Sequence, residues 1–396
     1  MSRPETGAPY AGAIFLGLMT LTPLAAYLWP FGLAAFPPIA AILLIPVFRP
    51  DRPDLVWAAL LALVAYGLIT VMWSPVFSAG GAMADYADAE RQTWGKVVMN
   101  LGLYAVLIIT ATRLPVVTMR RLAPLFAVTT VALAGVLLLE AASGTPIYHQ
   151  LTTLSGDAMS PDQERRNVAL GTYSLALMYW PALTILMRRG WRRAAVLLTV
   201  SAWIAPLLLS AWAPVAALIG GGLVYGAVRR WRLGGPRIVV GTLAGAVVLA
   251  PWVVLACAGL MDWAGDRLGA SWAARLDIWS FTAEQILKHP LFGWGLDASR
   301  AYQPFMLHPH SAPLQVWLEL GLVGALLLAG VWWLIGRRAM KVGPQGLAAA
   351  VGYFIIGGLS FGMWQEWWLG LGAMTAIWIM LSDARLEPNF DPMIEA

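Results

Sequence analysis

Twelve apolar stretches dominate this sequence of 396 residues and constrain its fold more than any other feature. A helix needs about 20 apolar residues to cross the roughly 30 Å hydrocarbon layer of a bilayer. The stretches cover residues 11–29, 31–48, 54–73, 94–111, 122–140, 168–187, 194–209, 212–228, 238–259, 312–335, 346–362 and 367–382. We therefore expect an all-α polytopic membrane protein with about 12 transmembrane helices, forming a single integral membrane domain of residues 1–396.

The seventh and eighth stretches are nearly continuous along the chain. Read as one helix, 194–228 would measure roughly 52 Å at 1.5 Å per residue, which is too long for one crossing. The run Trp212-Ala213-Pro214 lies where the chain would need to turn. The sequence therefore predicts two helices joined as a hairpin.

The composition excludes several classes of protein. Hydrophobic residues make up 59% of the chain and charged residues 12%, about half of the roughly 25% found in soluble domains. A disordered chain and an ordinary soluble enzyme are both excluded by these values. The only cysteine is Cys257, so the chain has neither an internal disulfide nor a thiolate metal cluster.

The basic residues predict how the chain is oriented. With a cytoplasmic N-terminus, all but eight of the 26 Lys and Arg residues fall in tails and short loops on the cytoplasmic side. Arg-rich clusters at 188–193 and 229–237 both belong inside, which supports the hairpin between them. Both termini are then cytoplasmic, the first stretch is a retained span, and 383–396 forms a cytoplasmic tail. Because topology explains the Arg clusters, they do not indicate a nucleic-acid partner.

Eight basic residues remain on the outer side, together with all four histidines. The cations are Arg91, Lys96, Arg165, Arg166, Arg267, Arg275, Lys288 and Arg300, and the histidines are His149, His289, His308 and His310. Such a set suits an anionic ligand such as a pyrophosphate, because the planar guanidinium group binds phosphate oxygens in pairs. The alternative interpretation is that these cations contact phospholipid head groups. Membrane lipids are expected partners under both interpretations.

The longest outer loop covers residues 260–311 and is expected to contain an amphipathic helix. Apolar residues recur at helical spacing over 271–288, and Ser271 is the expected N-cap. We expect this helix to lie on the outer membrane surface before the tenth span. It would hold Arg275 one turn from Trp279, at the depth of a lipid pyrophosphate.

His310 stands directly before the tenth span. Ser311 is the expected N-cap of that helix, and Pro313 suits its first turn. The positive end of the helix dipole favours a neutral imidazole, which is the form that a general base requires. A structural histidine bonded within the loop is the alternative.

From His310 the chain reads His-Ser, then nine residues, then Gly321-Leu-Val-Gly324. This pattern resembles the signature of the O-antigen ligase and polymerase superfamily. Upstream, Arg275, Trp279 and the run from His289 to Gly295 (His-Pro-Leu-Phe-Gly-Trp-Gly) resemble the element that precedes the histidine in that family.

The resemblance implies an enzyme at the periplasmic face of the bacterial inner membrane. Members of the family transfer a glycan from undecaprenyl pyrophosphate to an acceptor hydroxyl, inverting the anomeric carbon without a metal or other cofactor. His310 matches the essential histidine, the proposed general base. Arg275 matches an essential arginine that binds the donor pyrophosphate. Loop 260–311 would be the periplasmic active-site loop.

One part of the family pattern is missing. Relatives carry a second arginine at the outer start of the eighth span, where this chain has Leu209-Ser-Ala-Trp-Ala-Pro214. The residues considered as replacements in the donor site are Arg165 and Arg166, followed by Lys288, Arg300 and His308.

Three residues after His310 are expected to shape the site rather than react. Glu319 lies about 13 Å along a helix from His310, so we expect it to bond a neighbouring helix or fix the architecture of the site. Gly321 and Gly324 are expected to allow close helix packing.

The acceptor is left open between two main alternatives. A ligase transfers the glycan to lipid A-core, and this is the favoured interpretation; a polymerase extends a second lipid-linked glycan. A protein O-oligosaccharyltransferase is less favoured, because those enzymes often carry a large extra outer domain. A transporter is disfavoured because no internal repeat is visible and Glu319 is almost the only charge near the membrane midplane.

Overall fold

The computed structural model describes residues 7–50, 54–78, 93–157, 159–232, 234–265, 267, 269–302 and 308–386. Within these ranges the chain is helical apart from turns and connections, and it contains no strand. The α-helices are α1 (Ala8–Leu28), α2 (Phe36–Leu44), α3 (Leu55–Thr70), α4 (Pro75–Ser78), α5 (Thr93–Thr112), α6 (Val116–Ser143), α7 (Pro146–Ser155), α8 (Pro161–Arg188), α9 (Arg192–Leu208), α10 (Trp212–Arg230), α11 (Gly235–Ala256), α12 (Ala258–Gly265), α13 (Ala270–Lys288), α14 (Ala312–Val342), α15 (Pro344–Leu359) and α16 (Glu366–Leu381). The predicted all-α fold is confirmed.

The helices are those of a multi-pass membrane protein. Nine helical segments of the described chain are long and apolar enough to cross a bilayer. The predicted stretches also include α9, α15 and α16, which have 17, 16 and 16 residues. At 1.5 Å per residue these helices span roughly 25 Å, slightly less than the hydrocarbon layer.

Helices α9 and α10 form the predicted hairpin. The turn between them contains Ser210 in a left-handed conformation, with φ of 56°. Helix α8 begins before the predicted residue 168, because Ser160 caps it by accepting a hydrogen bond from the backbone N–H of Gln163 (3.3 Å). Arg91 and residues 387–396 of the predicted tail lie outside the described residues.

The two largest of three clusters of buried apolar side chains join most of the helices of the bundle. The larger joins α1, α2, α5, α6, α8, α9 and α16, and includes the stacked rings of Phe126 and Trp378. The second joins α3, α11, α13 and α14 around Trp317, whose indole N–H donates to the Val247 carbonyl (2.8 Å). Among the nine long segments, α8 and α14 are the most deeply buried.

The two ends of the bundle differ in chemistry. At one end, arginines from separate connections bond to other segments: Arg113 to the Pro50 carbonyl, Arg120 to the Leu386 carbonyl, Arg188 to the Ser382 carbonyl, and Arg338 to the Asp54 carboxylate. These arginines belong to the connections predicted to be cytoplasmic. The opposite end carries the connections 289–302, 308–311 and 360–365. The membrane side of each end stays a prediction.

Helix α14 is broken at Gly321, where φ is 62° and ψ is −159°. This region of backbone space is open essentially to glycine alone. The loop 290–295 fits against the break and supplies backbone hydrogen bonds across it. The N–H groups of Trp294 and Gly295 donate to the carbonyls of Leu318 and Glu319, and those of Leu322 and Val323 donate to the carbonyls of Pro290 and Leu291.

The junction leaves no room for side chains. A Cβ on Gly321 would lie 2.5 Å from both the Gly293 nitrogen and the Leu291 carbonyl oxygen. A Cβ on Gly293, where φ is 69°, would lie 2.5 Å from the Glu319 carbonyl. Glycine at positions 293 and 321 therefore allows the backbone of the loop 290–295 to enter the break in α14.

The expectation that Gly321 and Gly324 serve helix–helix packing is corrected by this geometry. Gly321 ends one helical segment and starts the next. Gly324 faces its own chain, since a Cβ there would lie 2.1 Å from the Cβ of Leu320, which the break turns towards it.

Candidate functional site

The two ordered elements of the outer loop meet at one hydrogen bond. On α13, the indole N–H of Trp279 donates to the carbonyl of Pro309 (3.0 Å), the residue immediately before His310. One turn away, the Arg275 guanidinium lies 4.9 Å from the ring centre of Trp272. Helix α13 therefore carries Arg275 to the segment that holds His310.

The start of α13 differs from the prediction. Its N-cap is Gly269, which has no side chain to accept a hydrogen bond, and the exposed Ser271 lies inside the first turn. Ser271 therefore does not cap the helix.

His310 adopts a strained backbone conformation, with φ of 54°. Its Nδ1 lies 3.2 Å from the backbone carbonyl oxygen of Ser360. Because a carbonyl only accepts, Nδ1 carries the hydrogen and Nε2 keeps its lone pair. Within the described chain no hydrogen bond reaches Nε2. Ser311 occupies the predicted N-cap position of α14, although its hydroxyl makes no capping bond.

The surroundings of His310 favour the neutral ring. Burial lowers the pKa of His310 below the usual 6.5, and the positive charge of nearby Arg275 lowers it further, while the bond to Ser360 acts in the opposite direction. The imidazole is therefore a neutral base at neutral pH, with Nε2 as the basic atom.

His308 supports the backbone of His310. Its Nδ1 accepts a hydrogen bond from the His310 backbone N–H (3.0 Å), and the two rings meet edge to face with centres 4.4 Å apart. On the opposite side, Nε2 lies 2.8 Å from the side-chain amide of Gln365. Burial lowers the pKa of His308 to about 3, with further lowering by His310 and Arg300. His308 is therefore a neutral positioning group.

Glu319 lies fully buried below the site, where its carboxylate accepts three hydrogen bonds. The donors are the Ser299 hydroxyl (2.9 Å), the Gln315 amide (2.9 Å) and the Trp364 indole (2.7 Å). Glu319 thus ties α14 to the loop before it and to the connection between α15 and α16. That connection holds Ser360, the partner of His310.

A cavity of about 320 Å³ opens beside His308. Its polar lining includes Lys96, Asp297, Arg300, His308, Gln365 and Glu366, and its apolar lining includes Phe31, Trp364 and Trp367. We call it the Asp297 cavity. Lys96 pairs with Glu366 (2.9 Å), and the Arg300 guanidinium lies 3.5 Å from Asp297 and 3.1 Å from the Thr93 hydroxyl.

The described residues contain no cluster of three or more His, Cys, Asp or Glu side chains that could hold a metal ion.

Comparison with known proteins identifies the segment that carries this geometry. Residues 194–329 match the family model described as O-antigen ligase. Over this segment the chain is similar to the O-antigen ligase family. The matched residues run from α9 to the second half of α14, and include Arg275, His310 and the helix break.

Similar proteins occur in Rickettsia. A "Putative polysaccharide ligase" of Rickettsia felis is 28% identical over 236 residues, which cover 53% of this chain and 56% of the relative. One of Rickettsia bellii is 31% identical over 129 residues, covering 28% of this chain and 31% of the relative. The chain thus spans about half the length of the curated relatives it matches. No solved structure matches it.

The cations considered as replacements for the missing family arginine lie in different surroundings in the structure. Arg165 donates to the Leu208 carbonyl (2.9 Å), and Arg166 is exposed. Lys288 is exposed at the end of α13 and donates to the Gln285 side chain (3.0 Å). Neither of the two described bonds, those of Arg165 and Lys288, involves His310 or Arg275. Arg300 and His308 instead line the Asp297 cavity.

Several residues at the site were missed by the sequence analysis. Ser360 orients His310, and Tyr173 on α8 lies near Arg275. Asp297 and Gln365 line the cavity beside His308. Lys96 also lines the cavity, and the sequence analysis named it only as one of the outer cations. The others come from segments far apart in the chain.

Proposed function

We propose that this protein transfers a glycan from undecaprenyl pyrophosphate to a hydroxyl group of lipid A-core, as an O-antigen ligase. The proposal is carried by one observation: the Nε2 atom of His310 is basic and accepts no hydrogen bond from the described residues, and the His310 ring lies within the electrostatic reach of Arg275. A base beside a fixed cation is the arrangement that proton removal and departure of an anionic leaving group require.

In the proposed reaction, the acceptor hydroxyl attacks the anomeric carbon of the donor glycan. The new carbon–oxygen bond forms as the bond between that carbon and the pyrophosphate oxygen breaks, and the carbon is inverted. The acceptor proton moves to Nε2 of His310, while the hydrogen on Nδ1 stays bonded to the Ser360 carbonyl. The imidazolium that forms is oriented by this bond throughout the reaction.

Arg275 is the proposed ligand of the donor pyrophosphate. Its guanidinium is supported by the Trp272 ring on α13, and Trp279 of the same helix bonds to the segment of His310. A planar guanidinium binds two phosphate oxygens and stabilises the charge that grows on the leaving group. Arg275 would supply this charge without a metal.

The proposed topology has residues 260–311 as a periplasmic loop of one integral membrane domain, 1–396, in the bacterial inner membrane. Both termini, including the tail 383–396, would be cytoplasmic. The support is the clustering of Arg113, Arg120, Arg188 and Arg338 at the end of the bundle opposite His310, as the positive-inside rule requires.

A reconstitution tests the proposal. Purified protein in detergent receives an undecaprenyl-pyrophosphate glycan and lipid A-core, with and without a chelator. We expect glycan on lipid A in both conditions, and loss of product with Arg275→Ala and His310→Ala. Arg267→Ala is the matched control, because Arg267 also packs on a tryptophan, Trp263, in the same loop (4.3 Å) but is not assigned to the site.

Two results would overturn parts of this proposal. Longer lipid-linked glycans without any lipid A product would make the protein a polymerase. If Arg275→Ala were as active as the Arg267→Ala control, Arg275 could not be the residue that binds the donor pyrophosphate.

A further inference from the structure

We propose that the Asp297 cavity, which His308 lines, binds a sugar ring of the acceptor. This inference rests on the proposed glycan transfer. It assigns the acceptor to a binding site separate from that of the donor pyrophosphate. The cavity, at about 320 Å³, falls within the range of small-molecule sites.

Asp297 is the first sign of a missing ligand. Its side chain lines the cavity and is only 2% exposed, yet its Oδ2 has no hydrogen-bond partner among the described residues. A buried carboxylate oxygen without a donor is costly. A sugar hydroxyl would supply the donor.

The charges of the cavity favour a polyhydroxylated ligand over a pyrophosphate. Among the described lining residues, the basic side chains Lys96 and Arg300 lie against two carboxylates, Glu366 at 2.9 Å and Asp297 at 3.5 Å. The four charges balance, so a multiply charged anion would meet repulsion as well as attraction. Hydroxyl groups donate and accept, and therefore fit both kinds of partner.

The apolar lining fits the same class of ligand. Trp364 and Trp367 are both largely buried and line the cavity together with Phe31. The Phe31 and Trp367 rings meet edge to face, with centres 5.6 Å apart. Aromatic walls with a few polar groups are typical of sites for organic ligands, and sugar rings present C–H groups to such walls.

The position of the cavity suits an acceptor. His308 lines it, and the His308 ring lies 4.4 Å from that of His310. Arg275 is not part of the described lining. A sugar in the cavity would therefore lie one side chain away from the base, next to His308, while the donor pyrophosphate is held by Arg275 outside the described lining.

Kinetics with each substrate varied in turn tests the assignment. We expect Asp297→Asn and Glu366→Gln each to raise the KM for lipid A-core about tenfold, the size expected for one lost charged hydrogen bond, with the donor KM unchanged. Glu284→Gln is the control, because it removes an exposed carboxylate on α13. A raised donor KM, or no change in either KM, would overturn the inference while wild-type transfer would still support the proposed function.

A labelling experiment needs no turnover. Cys257 is the only cysteine, so Lys96→Cys in a Cys257→Ser, His310→Ala background offers one thiol at the cavity. We expect lipid A-core to slow its reaction with a water-soluble maleimide several-fold, and undecaprenyl pyrophosphate to leave it unchanged. A thiol introduced by Glu284→Cys should react equally in all conditions. Protection by undecaprenyl pyrophosphate, or by neither ligand, would overturn the inference.

Discussion

Replacing Gly321 with alanine should unfold the junction on which the site is built. The conformation at Gly321, with φ of 62° and ψ of −159°, costs any other residue about 1–3 kcal/mol. The new Cβ would also lie 2.5 Å from the Gly293 nitrogen and the Leu291 oxygen. If the loop 290–295 moves away, four backbone hydrogen bonds of about 1 kcal/mol each are lost with it. We therefore expect a destabilisation of at least about 3 kcal/mol.

The assay is thermal unfolding of the purified protein in detergent, and Gly330→Ala is the matched control. Gly330 lies on the same helix, and no atom lies within 4 Å of the position its Cβ would take. Alanine there should stabilise the helix by up to about 1 kcal/mol. Equal unfolding temperatures for Gly321→Ala and Gly330→Ala would refute the predicted destabilisation.

Three further predictions concern the site. Trp279→Phe removes the bond to the Pro309 carbonyl and should lower kcat up to about tenfold with little change in melting temperature; an unchanged kcat would contradict this. Glu319→Gln places an amide N–H₂ against donors such as the Trp364 indole and should destabilise the protein by about 1–3 kcal/mol, so a raised melting temperature would count against it. Because the pKa of His310 is lowered, the neutral base persists as pH falls to 6.5, and kcat/KM should decline only below that pH; a decline centred above pH 6.5 would exclude this assignment.

Much of the fold follows directly from the sequence, because membrane-spanning helices must satisfy their backbone internally and be apolar over their length. The apolar stretches therefore marked the helices, and the spacing of the Arg clusters marked the α9–α10 hairpin. His310 and Arg275 were selected as candidates because they fall in two ordered motifs of one loop. The structure brings those motifs together through Trp279.

The helix break was not predictable in the same way. A glycine within an apolar run is compatible with a continuous helix, so Gly321 gave no sign of its conformation. Its cause lies in the loop 290–295, whose backbone enters the break.

The Asp297 cavity could not be predicted from the sequence for a related reason. Lys96, Asp297 and Glu366 come from three separate segments of the chain, and only tertiary packing places them around one space.

The central claim is that His310 removes the proton of the acceptor hydroxyl. The most direct measurement is the initial rate of glycan transfer by His310→Ala relative to the wild type, at saturating donor and acceptor. Loss of a general base typically lowers a rate about 10²- to 10⁴-fold, and we expect a loss of at least 100-fold with the melting temperature preserved. A His310→Ala rate within about twofold of the wild type, far less than the loss of a base causes, would contradict the account.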